Sequence, residues 1–319
     1  KLSRLQPDYT PGLITMGNIL EETGKLDQAQ IYYEQVLERD SDSFKNYLNL
    51  ANILYRKGNL EGAIPHYKKV ITLNPNLLEA HYNLGNVYID LGDNEKSIDF
   101  YQKAIDIQPN HADAHNNLGI VFQELGETQK AINFYEKTIQ INPVHLAAHN
   151  NLAPIFMRLK DMEKAKSFCE KTIQINPNYA AGHYNLGLVF QELGDRQKAR
   201  SCYEKTIKID PNHANAWLIL AQLAEKQNQT KQAIQAYQRA LRANNNLLEA
   251  HYALGFLFQA QDQSQEASEH FKQVIRLDSK HAEAHLNLGV LYANLDKLDQ
   301  AEKEYRSAIS LNPKLVEAY

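Results

Sequence analysis

Residues 112–145 read ADAHNNLGIVFQELGETQKAINFYEKTIQINPVH. Gly119 and Ala131 are small residues that let two antiparallel helices cross closely. Leu118, beside the first of them, and Tyr135, beyond the second, would fill the space on either side. Gly126 stands where the first helix must stop, a place that tolerates a left-handed backbone. Pro143 follows the second helix and prevents its continuation. The stretch predicts one helical hairpin, and a lone hairpin cannot bury its own apolar face.

The same stretch recurs. Pro7, Pro75, Pro109, Pro143, Pro177, Pro211 and Pro313 fall on one series with a step of 34 residues, with Ser41, Asn245 and Ser279 in the remaining places. Setting that proline at repeat position 32 gives nine uninterrupted repeats: 10–43, 44–77, 78–111, 112–145, 146–179, 180–213, 214–247, 248–281 and 282–315. Position 7 is leucine except at Met16, and position 8 is glycine or alanine throughout. Position 20 is alanine except at Ser97, and position 24 is tyrosine or phenylalanine except at Cys169. Position 15 is glycine at Gly24, Gly58, Gly92, Gly126 and Gly194. Hairpins of this kind stack on their neighbours, which predicts an all-α solenoid. Residues 1–9 read as the tail of a preceding repeat and 316–319 as the start of another, and neither end carries a polar capping helix. The expectation is an excerpt of a longer array.

Composition bounds the function. Among 319 residues, 34 Lys and Arg face 38 Asp and Glu, a net charge of −4, so no basic excess points to nucleic acid. Mean hydropathy is −0.53, and no apolar run approaches the roughly 18 residues of a membrane span. Two cysteines, Cys169 and Cys202, are too few for a disulfide framework, and a cytoplasmic setting is favoured. The glycines form no phosphate loop or nucleophile elbow, so no catalytic residue and no cofactor is expected.

Twelve histidines raise a metal reading. His81, His115, His149, His183, His251 and His285 occupy position 4, with Trp217 in the same place of repeat 7. His111/His115, His145/His149 and His281/His285 have the i,i+4 spacing of two ligands on one helix face. No carboxylate takes the HExxH place, and an amphipathic ring at position 4 is more simply packing. No metal is expected.

The pattern at positions 7, 8, 11, 15, 20, 24 and 32 resembles the tetratricopeptide-repeat family over essentially the whole chain. The resemblance implies a right-handed superhelix of antiparallel helix pairs whose first helices line a concave groove. Position 6 then faces the groove, and it is asparagine at Asn49, Asn83, Asn117, Asn151, Asn185 and Asn287. Asparagine is a mediocre helix former, so its recurrence asks for a cause. An amide can pair with a peptide's backbone N–H and C=O whatever that peptide's sequence. Duplication of one ancestral repeat is the competing reading. The A-H-x-N-L-G stretches are similar to the tetratricopeptide domain of the O-linked N-acetylglucosamine transferases, where such a ladder holds extended protein substrates; Ile219 and Ala253 depart from it. The family's carboxylate clamp needs basic side chains in the groove, and position 5 has none.

The expected function is a non-catalytic scaffold that binds an extended segment of a partner protein. Asn49, Asn83, Asn117, Asn151, Asn185 and Asn287 would supply the rungs, and Tyr82, Tyr184, Tyr252 and Phe256 the selectivity. The alternatives are the substrate-recruiting arm of a larger enzyme, glycosyltransferase-like, and an architectural subunit of a multiprotein complex. Position 9 runs from Asn18, Asn52 and Asn86 to Ile120, Pro154, Leu188, Gln222, Phe256 and Val290, which suggests a partner of matching amphipathic order. Pro154, Lys160 and Cys169 together mark repeat 5 as a local bend.

Overall fold

The structure, a computed structural model, describes residues 10–315; the readings made for 1–9 and 316–319 lie outside them. Among the described residues the chain forms eighteen helices and no strand. They come in pairs. In repeat 2, α3 (Phe44–Arg56) and α4 (Leu60–Leu73) take positions 1–13 and 17–30. Repeat 3 has α5 (Leu78–Asp90) and α6 (Asn94–Ile107), and repeat 4 has α7 (Ala112–Glu124) and α8 (Thr128–Ile141). Repeat 7 has α13 (Ala214–Lys226) and α14 (Thr230–Ala243), and repeat 8 has α15 (Leu248–Gln259) and α16 (Ser264–Leu277). The fold is an all-α solenoid of antiparallel helix pairs.

The chain divides into two compact units, 1–155 and 156–319. The division falls inside α9 (Leu146–Arg158), one residue after Pro154, in repeat 5, where the sequence suggested only a bend.

The crossing inside each pair follows the small-residue pattern. A Cβ placed on Gly85 would sit 2.6 Å from Cε1 of Tyr101, and one on Gly119 or Gly187 would meet Tyr135 or Tyr203 at the same distance. The position-24 ring thus lies directly on the backbone of the first helix, fully buried at Tyr33, Tyr67, Tyr101, Tyr135, Tyr203 and Phe271. Cys169, which takes the position-24 place in repeat 5, is 1% exposed. Burial pushes the Cys169 thiol up to about 12, which keeps it protonated and inert.

Each first helix ends in a left-handed residue at position 15. The five glycines there have φ between 74° and 79°, and Lys160, Asn228, Asp262 and Asp296 hold the same conformation at φ 55–62°. The tight turn is therefore kept in repeats that lack the glycine, and Lys160, with neither a glycine's freedom nor an Asn or Asp side chain's local hydrogen bonds, bears the most strain. Lys160→Gly is expected to stabilise the second unit by about 1 kcal/mol, read as a higher urea midpoint; an unchanged or lower midpoint would contradict this.

Candidate functional site

The position-4 rings are held by the backbone. Nε2 of His81 lies 2.8 Å from the carbonyl oxygen of Pro75, six residues upstream in the preceding linker. His115, His149 and His183 make the same contact to Pro109, Pro143 and Pro177 at 2.9–3.0 Å, and His251 to Asn245 at 3.0 Å. Trp217 substitutes without loss, because its Nε1–H donates to Pro211 at 2.9 Å. A carbonyl only accepts, so each Nε2 carries a proton. The position-34 histidines do a different job: Nδ1 of His111, His145, His213 and His281 accepts the N–H three residues on, capping the next first helix. The i,i+4 pairs are thus one latch and one cap. Among the described residues, no group of three or more His, Cys, Asp or Glu is placed to hold a metal ion.

In repeats 3 to 5 an aromatic stack lies beside the latch, with members from positions 4, 11 and 23. In repeat 3 they are His81, Tyr88 and Phe100, with ring centroids 6.1 Å and 5.5 Å from Phe100. His115, Phe122 and Phe134 repeat this at 6.0 and 5.3 Å, and Phe156 and Phe168 lie 5.5 Å apart. Lysines at position 19 cover the position-11 ring: Lys96, Lys130, Lys164 and Lys198 lie 4.9–5.3 Å from the centroids of Tyr88, Phe122, Phe156 and Phe190.

In repeat 8 the position-23 ring is His270, whose Nδ1 lies 2.9 Å from Nδ1 of His251. Since His251 Nε2–H is committed to Asn245, His251 Nδ1 accepts and His270 Nδ1–H donates, with both rings neutral. Burial, followed by the His251 ring, holds the His270 pKa down at about 4, and burial lowers that of His251. The unfolded chain binds these protons first. Stability contributed here is therefore complete above about pH 6.5 and lost as pH falls toward 4. His270→Phe, which installs the ring of repeats 3–5, is expected to make the acid limb of the second unit's melting temperature shallower between pH 7 and 4.5. A limb as steep as wild type would place the acid sensitivity elsewhere.

The candidate groove residues line the first-helix face. Asn49, Asn83, Asn117, Asn151, Asn185 and Asn287 are all half-buried. In the first unit the amides of Asn83 and Asn117 belong to a network that sequence reasoning missed. The position-24 tyrosine donates its hydroxyl to the position-9 asparagine: Tyr33 to Asn18 at 2.6 Å, Tyr67 to Asn52 and Tyr101 to Asn86 at 2.7 Å. The next repeat's position-6 amide then donates to that same oxygen, Asn83 to Asn52 and Asn117 to Asn86, each at 3.0 Å. Asn117 Nδ2 also lies 3.3 Å from the hydroxyls of Tyr82 and Tyr101. The amides thus form one polar strip that ties neighbouring repeats together.

In repeats 4, 6 and 7, where position 9 is no longer asparagine, the tyrosine hydroxyl bonds one helical turn along, at position 12. Tyr135 donates to Gln123 at 3.1 Å, Tyr203 to Gln191 at 3.0 Å and Tyr237 to Glu225 at 2.6 Å. The signal was present in the sequence, because Asn at 9 and Gln or Glu at 12 face the same way on one helix.

The position-5 aromatics rest between two rings. Tyr82 lies 5.9 Å from Tyr101 and 4.9 Å from His111, and Tyr184 lies 5.9 Å from Tyr203 and 4.6 Å from His213. Tyr252 packs against Phe256, Phe271 and His281 at 4.8–6.0 Å. Phe256 is 42% exposed and, with Gln222, Glu225, Tyr237 and Tyr252, lines a cleft of about 820 Å³ in the second unit. No helix among the described residues is long and apolar enough to cross a membrane.

Paired helices of fixed length, a small-residue crossing, a left-handed turn and a linker latch define a class of helix-hairpin repeat proteins. The chain belongs to the tetratricopeptide-repeat family: tetratricopeptide-repeat models match residues 11–43, 51–92 and 76–143, and the model described as the cilia and flagella-associated protein 70 C-terminal domain matches 111–314. Curated protein sequences give no match. Among solved structures, pilF of Pseudomonas aeruginosa is 21% identical over 70% of this chain and 99% of its own, with a TM-score of 0.59. The anaphase-promoting-complex hetero-tetramer Cut9–Hcn1 is 16% identical over 92% of this chain and 57% of its own, with a TM-score of 0.54. YrrB, described as a tetratricopeptide-repeat protein with an unusual peptide-binding site, is 26% identical over 58% of this chain and 95% of its own, with a TM-score of 0.49.

Proposed function

We propose that the protein is a non-catalytic scaffold that holds an extended segment of a partner protein along its first helices. The observation that carries this reading is the polar strip of the first unit. Asn49, Asn83, Asn117 and Asn151 recur at one register and remain half-exposed, with Tyr82 beside them. Amides at this spacing offer donors and acceptors to a peptide backbone. In the second unit, Tyr184, Tyr252 and Phe256 would contribute more apolar contacts beside the amides of Asn185 and Asn287, in keeping with the change at position 9. Because Asn83 and Asn117 also serve the fold, each rung adds toward the lower end of the ~0.5–1.5 kcal/mol of a net hydrogen bond. Binding is then tolerant of sequence, and side-chain contacts set the selectivity.

The test is affinity capture with wild-type protein and with Asn83→Ala/Asn117→Ala/Asn151→Ala, after both are shown to be equally helical. The name of the model that covers most of the chain makes ciliary proteins the first partners to try. Partners lost only from the variant support the reading, and partners kept by both remove it.

A further inference from the structure

We propose a second docking site, on the second-helix side of repeat 7, that takes an aromatic side chain from an acidic segment of a partner protein. The argument starts from what repeat 7 lacks. Repeats 3 and 4 fill the space around the position-4 ring with rings from positions 11 and 23. In repeat 7 both places are alanine, Ala224 and Ala236, and the lysine of position 19 is replaced by Gln232. Trp217 does not swing over to fill the vacated space, because its indole N–H is latched to Pro211.

The result is a cleft of about 340 Å³ with Trp217, Leu220, Ala224, Ala236 and Ile207 as apolar walls. A cleft that size accommodates a side chain with room for flanking atoms. The molecule itself indicates the occupant. A phenyl ring entering from outside would lie against Trp217 as Phe100 lies against His81 and Phe134 against His115, at centroid separations of about 6 Å.

The rim sets the charge of the partner. Arg200, Glu204 and Arg239 surround the opening. Glu204 is matched by Arg200, whose Nε donates to it at 2.9 Å, and Arg200 also donates to Gln227 at 3.0 Å. Arg239 is exposed at the mouth and leaves one positive charge in excess. A carboxylate next to the incoming ring would complement it. This surface is independent of the asparagine strip, so either can fail alone.

Trp217 is the only tryptophan, so its fluorescence reports the cleft directly. The probe is the capped tripeptide Asp-Phe-Asp, titrated into the whole chain beside Lys-Phe-Lys and Asp-Ala-Asp. A saturable change is expected with Asp-Phe-Asp, at least about fivefold weaker with Lys-Phe-Lys and undetectable with Asp-Ala-Asp. Ala236→Phe supplies the missing ring in cis and is expected to abolish the response. Arg239→Glu, an exposed change that leaves the walls intact, is expected to reverse the charge preference and decides the matter if Ala236→Phe does not fold. No saturable change, equal response to all three peptides, or an unaltered preference in Arg239→Glu would overturn the proposal.

Discussion

Tyr101→Ala is expected to destabilise the first unit by about 3–5 kcal/mol. The ring is fully buried and lies directly on the backbone of Gly85, where a Cβ would come within 2.6 Å. No neighbouring side chain can collapse into that space without moving α5 against α6. The loss is also polar: the hydroxyl donates to Asn86 at 2.7 Å and lies 3.3 Å from Asn117 Nδ2. Tyr101→Phe separates the two contributions, removing only the hydroxyl for about 1 kcal/mol because Asn86 still accepts from Asn117 at 3.0 Å. Each repeat contacts only its neighbours in a solenoid. The damage should therefore centre on repeats 3 and 4, with amide exchange accelerated there and least changed in the second unit. A loss below about 2 kcal/mol would mean that the ring does not set the helix crossing.

The second large effect is on binding. Asn83→Ala/Asn117→Ala/Asn151→Ala removes three rungs, and toward the lower end of ~0.5–1.5 kcal/mol each the partner's affinity should fall by ~10- to 100-fold. The same substitutions weaken the fold, since Asn83 and Asn117 bridge to the preceding repeat. Tyr101→Phe is the matched control, because it loosens the network from its buried side and leaves every half-exposed amide in place. It should lower stability and leave affinity within about threefold. If both variants lose affinity in proportion to lost stability, the strip serves the fold alone.

Much of the fold was legible because the 34-residue step repeats each physical requirement nine times. Position 8 against position 24 could be read as a close crossing, and the structure puts the ring on the backbone. What stayed hidden was the destination of hydrogen bonds. Histidine at position 4 read as packing, yet its anchor is a linker carbonyl that any residue supplies, so no side-chain pattern announces it. Lys160, with Pro154 and Cys169, read as marking a local bend in repeat 5, yet the turn at position 15 is kept there and the lysine adopts its left-handed backbone. The position-6 asparagines read as facing a partner or as copies of one ancestral repeat. Their tie to position 9 crosses from one repeat to the next, a distance that a within-repeat reading does not span.

The measurement that bears most directly on the scaffold reading is calorimetric titration of a captured partner segment, as a linear peptide, into wild type and into the triple asparagine variant. The account predicts one binding stoichiometry for both, with an affinity at least about tenfold weaker in the variant while Tyr101→Phe stays near wild type. Equal affinity for wild type and the triple variant would contradict it, and would leave the asparagine strip as the seam that joins one repeat to the next.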